Sequence, residues 1–358
     1  DVAVINVHLG TIKEGIDVVE ENGILEVIVY KKKSTHPIRL IRDLSNQVAQ
    51  YLGSLRGVLR GYDIIIEKFG KPDLVHCNVS LYAGLAALYI KMRYDIAYIL
   101  TEHWSGYLDE DGSFKKRSLF GKAVIRAIGE NAVAITTVSE KLGNAMVACG
   151  IKNEYFVIPN VVDKATLNCS KNIGGKVKQI LHVSILKDNT KNVSGIIEAI
   201  RNLSLKRNDF ELHIVGNGGD RERLEELSDK YGLLNKVIFF EGMVPADKVS
   251  IFFCKCDFFV LNSNYETFSV VTAEALAHGK PVIATKCGGP EEFVRENCGI
   301  LIEPRDNYAL VDAINYMLDN SSNYNSQEIH EYAANKFSYD AVGKKFMKLY
   351  NNIIKQNE

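Results

Sequence analysis

Residues 262–290 constrain this chain more tightly than any other stretch. They read Asn-Ser-Asn-Tyr-Glu-Thr-Phe-Ser-Val-Val-Thr-Ala-Glu-Ala-Leu-Ala-His-Gly-Lys-Pro-Val-Ile-Ala-Thr-Lys-Cys-Gly-Gly-Pro. The apolar run from Phe258 to Leu261 predicts a buried strand that ends in a polar turn carrying Glu266. A helix is expected from Thr267, with Glu274 about two turns inside it. Gly279 and Pro281 stop that helix, and Val282 to Ala284 form a second short strand leading to Gly288 and Gly289. On this reading the free N–H groups of Thr267, Phe268 and Ser269 point out of the helix start. With the positive end of the helix dipole they suit a phosphate. Carboxylates accept hydrogen bonds well from sugar hydroxyls, so one helix can hold a diphosphate at its tip with acids on either side for hydroxyls. Taken alone, the two acids also fit structural roles, Glu266 as a carboxylate favoured by the dipole and Glu274 as a partly buried acid.

The surrounding pattern is one of alternating strands and helices. In the first half, strands are expected at 1–7, 24–30, 74–77, 97–101, 133–138 and 155–158. Helices are expected at 38–69, with Gly53, Gly57 and Gly61 as candidate break points, at 82–92 and at 116–129, and Ser139 is positioned to cap the next one. The second half repeats the alternation from Gln179 onward, after a polar run at 168–175 that reads as a loop. Such alternation predicts parallel sheets covered on both faces. At 358 residues the chain suits two domains. His103 follows a strand, at the carboxyl-end position where α/β sheets place ligands, and Glu102 stands ready to hold or orient it.

The motif residues Glu266, Phe268, Ser269, Glu274, Ala275, Ala277, Gly279, Pro281, Val282, Ala284, Gly288, Gly289 and Glu292 share one fixed spacing. In that spacing the stretch resembles the signature of retaining glycosyltransferases, especially the large family four. The resemblance implies an α/β GT-B fold, two Rossmann-like doubly wound domains facing across a cleft that binds a nucleotide sugar. The expected units are an acceptor-side domain at 1–163, a nucleotide-sugar domain at 176–338, and a carboxyl-terminal helix at 339–358 that crosses back to the first domain. Pro159-Asn-Val-Val-Asp163 resembles the family's hinge sequence. Members of the family open with a strand, a Gly-rich loop and a helix; Asp1-Val-Ala-Val-Ile-Asn-Val7 reads as a second strand, so a chain lacking that first unit is expected, with a smaller variant of the domain that starts at Asp1 as the alternative.

The resemblance also assigns roles. Glu266 and His103 would hold the sugar's hydroxyls, and Glu274 the ribose. Lys191 and the backbone of Thr267, Phe268 and Ser269 would neutralise the diphosphate. Gly216, Asn217 and Met243 would lie along the nucleotide, with the bare backbone of the Gly216-Asn-Gly turn approaching it. One departure stands out: the family's arginine position carries Ile185, leaving Lys187 or Lys191 to supply positive charge. The implied reaction moves a hexose-type sugar from a UDP- or GDP-linked donor to a glycan or lipid-linked acceptor, in cell-surface polysaccharide or lipopolysaccharide synthesis. Neither cofactor nor metal is expected, since Lys191 and the helix dipole would take the place of a metal. Three other readings stay open. A GT-B sugar-nucleotide epimerase would turn over donor without acceptor. A non-catalytic nucleotide-sugar-binding protein would transfer nothing. A two-lobed periplasmic binding protein would take free sugar and ignore nucleotides.

A net charge of −1 argues against a general nucleic-acid partner. The seven cysteines are scattered and are expected to be reduced. Two segments cluster basic and apolar residues: Lys31, Lys32, Lys33, Arg39, Arg42, Arg56 and Arg60 in one, and Lys115, Lys116, Arg117, Lys122 and Arg126 around Leu119, Phe120, Val124 and Ile125 in the other. Each is either a solvated face or a peripheral contact with an anionic membrane. With no signal peptide in view, a cytoplasmic location, including the inner membrane face, is the expectation.

Overall fold

The computed structural model describes residues 2–11, 15–32, 39–163 and 177–357. The first sheet has three strands, β1 (Val2–Thr11), β2 (Gly15–Glu21) and β3 (Ile24–Lys32), in the order β1-β3-β2. β1 runs parallel to β3, whereas β2 runs antiparallel to it. The antiparallel strand departs from the expected parallel sheet, and its cause is local. Asn22 and Gly23 both have positive φ, 53° and 78°, the backbone of a two-residue hairpin turn whose twist matches the flanking strands.

Helix α1 (Arg39–Phe69) covers this sheet without interruption. Its glycines are not breaks. A Cβ on Gly57 would lie 3.2 Å from Val29 Cγ1, and one on Gly61 only 2.8 Å from Ile5 Cγ2. The two glycines, one turn apart, form a bare stripe that lets helix and sheet close on Leu25, Val27 and Val29, all fully buried. A second sheet follows, all parallel, in the order β4 (Val75–Asn78), β5 (Tyr98–Glu102), β6 (Ala134–Thr137) and β7 (Tyr155–Val157). Helices α2 (Ala83–Tyr94), α3 (Leu119–Asn131) and α4 (Glu140–Ala148) connect its strands. The Ser139 side chain caps α4 by accepting from Leu142 N at 3.3 Å.

The second half holds six parallel strands: β8 (Lys178–Val183), β9 (Phe210–Val215), β10 (Ile238–Gly242), β11 (Phe258–Leu261), β12 (Val282–Thr285) and β13 (Gly299–Ile302). Their spatial order is β10-β9-β8-β11-β12-β13. The connections run outward from β8 in one direction and from β11 in the other, so the winding reverses between those two strands. In open α/β sheets that reversal opens a crevice at the strands' carboxyl ends. The intervening helices are α5 (Asp188–Lys191), α6 (Val193–Ser204), α7 (Arg221–Lys230), α8 (Ala246–Lys255), α9 (Val270–Ala277) and α10 (Asn307–Asn320). Val193, Ile196, Ile197, Ile200 and Leu203 of α6 make one apolar face over Ile180, Leu212 and Ile214.

Helices α11 (Ser326–Phe337) and α12 (Tyr339–Asn357) end the chain. α12 leaves the second half and packs Val342, Leu349 and Ile353 against Ile99, Ala134 and Ile158 of the first-half sheet. His76 Nδ1 and the Tyr350 hydroxyl, 2.6 Å apart, fix it there. Among the described residues no helix is long and apolar enough to cross a membrane. Cys77, Cys149, Cys256, Cys287 and Cys298 are buried free thiols. Cys254, half-buried on the last turn of α8, is disulfide-bonded, which corrects the expectation that every cysteine is reduced.

Placing a branched side chain under α1 tests the glycine stripe. Gly61→Val should destabilise the protein by about 1–3 kcal/mol in urea unfolding, the usual cost of overpacking; an unchanged midpoint would mean that the helix has room to withdraw.

Candidate functional site

Two loops meet where the winding reverses. The segment after β8 leads through α5 to Lys191, and the segment after β11 leads to Glu266. Backbone and side-chain bonds stitch them together: Asn264 N donates to Thr190 O at 2.7 Å, Asn264 Nδ2 to Asn189 O at 2.8 Å, and Asn262 Nδ2 to Asn192 O at 3.1 Å. The stitching brings Lys191 Nζ to 2.5 Å from Glu266 Oε1, which also accepts from Ser263 Oγ at 2.7 Å. Both side chains are largely shielded, at 19% and 12% exposure, so the pair is held in place rather than waving in solvent.

The Glu266 turn is clamped from beneath. Glu266 N donates to Cys287 O at 2.9 Å. Gly288, with φ 129°, lies so close that a Cβ there would sit 2.4 Å from the Glu266 carbonyl oxygen, and a Cβ on Gly289 would sit 2.3 Å from that of Phe268. Only a chain bare at both positions admits this turn. The Phe268 ring anchors it from the other side, buried against Phe293 and Phe337 at centroid distances of 5.2 and 5.5 Å.

The clamp shifts the start of the helix. Instead of beginning near Thr267, α9 begins at Val270, because Ser269 adopts a left-handed conformation with φ 73°. Thr267 and Phe268 therefore belong to the preceding turn. Its first backbone bond runs from Ala273 N to Ser269 O at 3.3 Å, which leaves Val270, Val271 and Thr272 N–H without intrahelical acceptors. Ser269 Oγ is turned to Thr272 Oγ1, at 2.8 Å, and caps none of them. The helix mouth thus presents donors beside the Lys191–Glu266 pair.

Glu274 lies further along α9. Among the described residues its carboxylate has no hydrogen-bond partner. Burial, followed by the charge of Asp163, pushes it up to about 7. A half-buried acid without a donor is a costly arrangement for a purely structural role.

Gly216 follows β9 with φ 131°, and a Cβ there would meet the Ser184 carbonyl oxygen at 1.9 Å; one on Gly218 would meet that of Leu186 at 2.3 Å. These glycines let the β9 turn nest against the loop after β8, where Leu186 N donates to Asn217 O at 3.0 Å. Asn217 is exposed on this turn, and Met243, 78% exposed, follows β10. Ile185 is 71% exposed on the neighbouring loop. Lys187 lies within electrostatic reach of Asp111 in the first half.

His103 occupies the carboxyl end of β5. Buried Glu102 holds the chain there: Oε1 accepts from the N–H groups of His103 and Trp104 at 3.0 and 3.1 Å, and Oε2 from Ser80 N and the Tyr107 hydroxyl at 3.1 and 3.2 Å. Sequence reasoning placed Glu102 beside His103 but not this fourfold role, since Ser80 and Tyr107 donate from outside the segment that carries it. Burial lowers the His103 imidazole, against the opposing effects of Glu102 and a hydrogen bond with Asn160. Asn160 belongs to the Pro159–Asp163 segment, whose Asp163 also faces Glu274.

The Glu274 environment has a pH signature. The folded protein holds this proton up to about 7 while an unfolded chain releases it near 4.5, so the acid's contribution to stability is present at low pH and is lost as pH rises through 7. Glu274→Gln should raise Tm at pH 8 and leave it nearly unchanged at pH 4.5. A loss of Tm at pH 8 would show that the ionised carboxylate is satisfied in the free protein.

Comparison with known proteins agrees with this fold. The family model described as glycosyl transferases group 1 matches residues 163–336, and that described as Glycosyltransferase Family 4 matches residues 26–166. An uncharacterized glycosyltransferase of Methanocaldococcus jannaschii is 30% identical over 269 residues, 72% of this chain and 70% of that protein. The D-inositol 3-phosphate glycosyltransferase of Corynebacterium urealyticum is 25% identical over 338 residues, 87% of this chain and 77% of the relative. In three dimensions the chain is similar to sucrose-phosphate synthase from Thermosynechococcus elongatus, with a TM-score of 0.78 at 20% identity, over 98% of this chain and 89% of that one. It is also similar to Anabaena HepE in complex with UDP, with a TM-score of 0.70 at 19% identity, over 91% of this chain and 86% of that one. A putative teichuronic acid biosynthesis glycosyltransferase of Bacillus subtilis is 27% identical over 68% of this chain and 60% of that protein. The matched families, the relatives and the two Rossmann-like domains of the GT-B fold together make this chain a member of the group 1, family-four glycosyltransferases.

Proposed function

We propose that the chain transfers a hexose-type sugar from a nucleotide-sugar donor, UDP-linked rather than GDP-linked, to a glycan or lipid-linked acceptor, with retention of anomeric configuration. The observation that carries the reading is the Lys191–Glu266 pair at the winding reversal, beside the uncapped mouth of α9. A diphosphate seated there meets one cation and a set of free N–H groups. As the bond from the sugar's anomeric carbon to the diphosphate breaks, charge accumulates on the departing oxygens, and donors already in place stabilise it without reorganisation. These groups take the part a metal plays elsewhere, so transfer is proposed to be metal-independent.

Glu266 and His103 would orient sugar hydroxyls, one from each side of the cleft, with His103 kept neutral by burial. Glu274 would accept from the ribose hydroxyls, which supply the donors its carboxylate lacks. Asn217 and Met243 would border the nucleotide beside Gly216. The acceptor hydroxyl attacks from the face the diphosphate leaves; its proton passes to a departing phosphate oxygen as the new glycosidic bond forms. The domain division is proposed at 1–163 and 176–338, with 339–358 as the returning helix.

A peripheral membrane contact at the inner face of a membrane is part of the proposal. Leu119 and Phe120, at the start of α3, are 84% and 80% exposed, and Lys115, Lys116 and Lys122 lie next to them in sequence. An apolar pair ringed by lysines suits an anionic bilayer. The basic cluster at Lys31, Lys32, Lys33, Arg39 and Arg42 falls on residues whose side chains lie outside the described set. No nucleic-acid partner is proposed.

Two experiments test these statements. In a thermal-shift panel of UDP- and GDP-sugars a UDP-sugar should stabilise the wild-type protein most, and Lys191→Ala should cut turnover with that donor by about 10²-fold or more; full activity in that variant would refute the role of Lys191. Separately, the protein should pellet with anionic vesicles at low salt and less at high salt, and Phe120→Asp should abolish pelleting. Absence of binding by the wild-type protein at low salt would end the membrane reading.

A further inference from the structure

Glu292 follows the Gly288-Gly289 clamp in sequence, yet its carboxylate reaches none of the groups around Lys191. It crosses to the first half instead. Oε2 accepts from Glu140 N at 3.0 Å and Oε1 from Lys141 N at 3.1 Å, the first two residues of α4. Ser139 Oγ serves the third, Leu142 N, at 3.3 Å. Helix α4 therefore takes one cap from its own sequence and two from the other domain. The arrangement differs from an ordinary N-cap because separating the domains would strip two donors and one carboxylate of their partners at once.

The carboxylate is mounted rigidly. Glu292 N donates to Gly289 O at 3.1 Å and Lys336 Nζ to Glu292 O at 3.3 Å. The neighbouring Phe293 carbonyl accepts from the Tyr332 hydroxyl at 2.7 Å, and the Phe293 ring packs against Phe268 and Phe337. Through Gly288 and Gly289 the same segment supports the Glu266 turn. Lys141 extends along it, its Cδ 3.0 Å from where a Gly288 Cβ would be, with Nζ paired to Glu110 at 2.9 Å. The start of α4, the Glu292 carboxylate and the Glu266 turn thus form one continuous contact between the domains.

We propose that Glu292 is a positioning residue that latches the two domains together: by capping α4 across the cleft it holds the first domain, with His103, in register with the Lys191–Glu266 pair. The donor groups assigned above, apart from His103, all sit in the second domain, so the latch governs transfer more than nucleotide binding. The turnover arm of the test below rests on the proposed transferase function; the scattering and exchange arms do not.

Two variants break the same contact from opposite sides. Glu292→Gln keeps size and shape but gives up charge-assisted acceptance of two N–H groups. Glu140→Pro removes one of the two donors, with the exposed Glu140 side chain, and leaves Lys141 N: proline is well tolerated at the first position of a helix, and the preceding Ser139 already has the extended backbone proline requires. Small-angle scattering of the unliganded full chain should show a larger radius of gyration in both variants, and the double variant should go little further than Glu292→Gln alone, since both act on the same contact. Hydrogen exchange should accelerate in the peptide that opens α4. UDP affinity by calorimetry should stay at the wild-type level, while glycosyl-transfer turnover falls about tenfold or more, the usual size of a lost pair of charge-assisted bonds. Wild-type scattering and exchange in both variants would overturn the latch whatever happens to turnover. A loss of UDP affinity equal to the loss of turnover would overturn it too, by assigning Glu292 to nucleotide binding. Should Glu292→Gln fail to fold, Glu140→Pro at its exposed site carries the same test alone.

Discussion

The contact between Lys191 and Glu266 is the point on which the second domain converges. A lysine and a glutamate 75 residues apart in sequence meet because β8 and β11 are neighbours and their following loops are stitched backbone to side chain. An ion pair of this kind adds little to stability by itself, since desolvation offsets much of its attraction. Its value is positional. It fixes a cation beside the open mouth of α9, and the glycines at 288 and 289 fix the turn that carries the carboxylate. Replacing either glycine would push the turn away from its support, and the pair would part.

Two acids show how burial is resolved differently on the two sides of the cleft. Glu102 is fully buried and receives four hydrogen bonds, three from backbone N–H groups and one from a tyrosine. It is a satisfied structural carboxylate that shapes the end of β5 around His103. Glu274 is also shielded but has no donor among the described residues, and its proton is held up to about 7. The first acid is complete within the fold, and the second is incomplete until something brings hydroxyl or amide hydrogens to it. That contrast separates a scaffold residue from a candidate binding residue without reference to any relative.

Much of this was legible in the sequence because it is local. The strands of the second half, the Ser139 cap and the stop at Gly279 and Pro281 follow from apolar runs and helix-end chemistry. The Asn22-Gly23 hairpin had a plain signal and went unread, so β2 was missed. The glycines of α1 read as breaks because periodicity says nothing about what a helix packs on; the sheet beneath Gly57 and Gly61 makes them contact points. The start of α9 was misplaced by three residues because the left-handed Ser269 is imposed by Gly289 under Phe268, a contact between segments some 20 residues apart. Glu292 was legible as a motif acid, but its partner lies about 150 residues away in the other domain, a pairing that no single-sequence pattern encodes.

The central claim is that the crevice between β8 and β11 is where a nucleotide's phosphates bind. A crystal structure of the protein with UDP tests it most directly. The account predicts the diphosphate within hydrogen-bonding distance of Lys191 Nζ and the first N–H groups of α9, and the ribose hydroxyls on Glu274. UDP bound elsewhere on the molecule, or bound in the crevice with Glu274 left untouched, would contradict it.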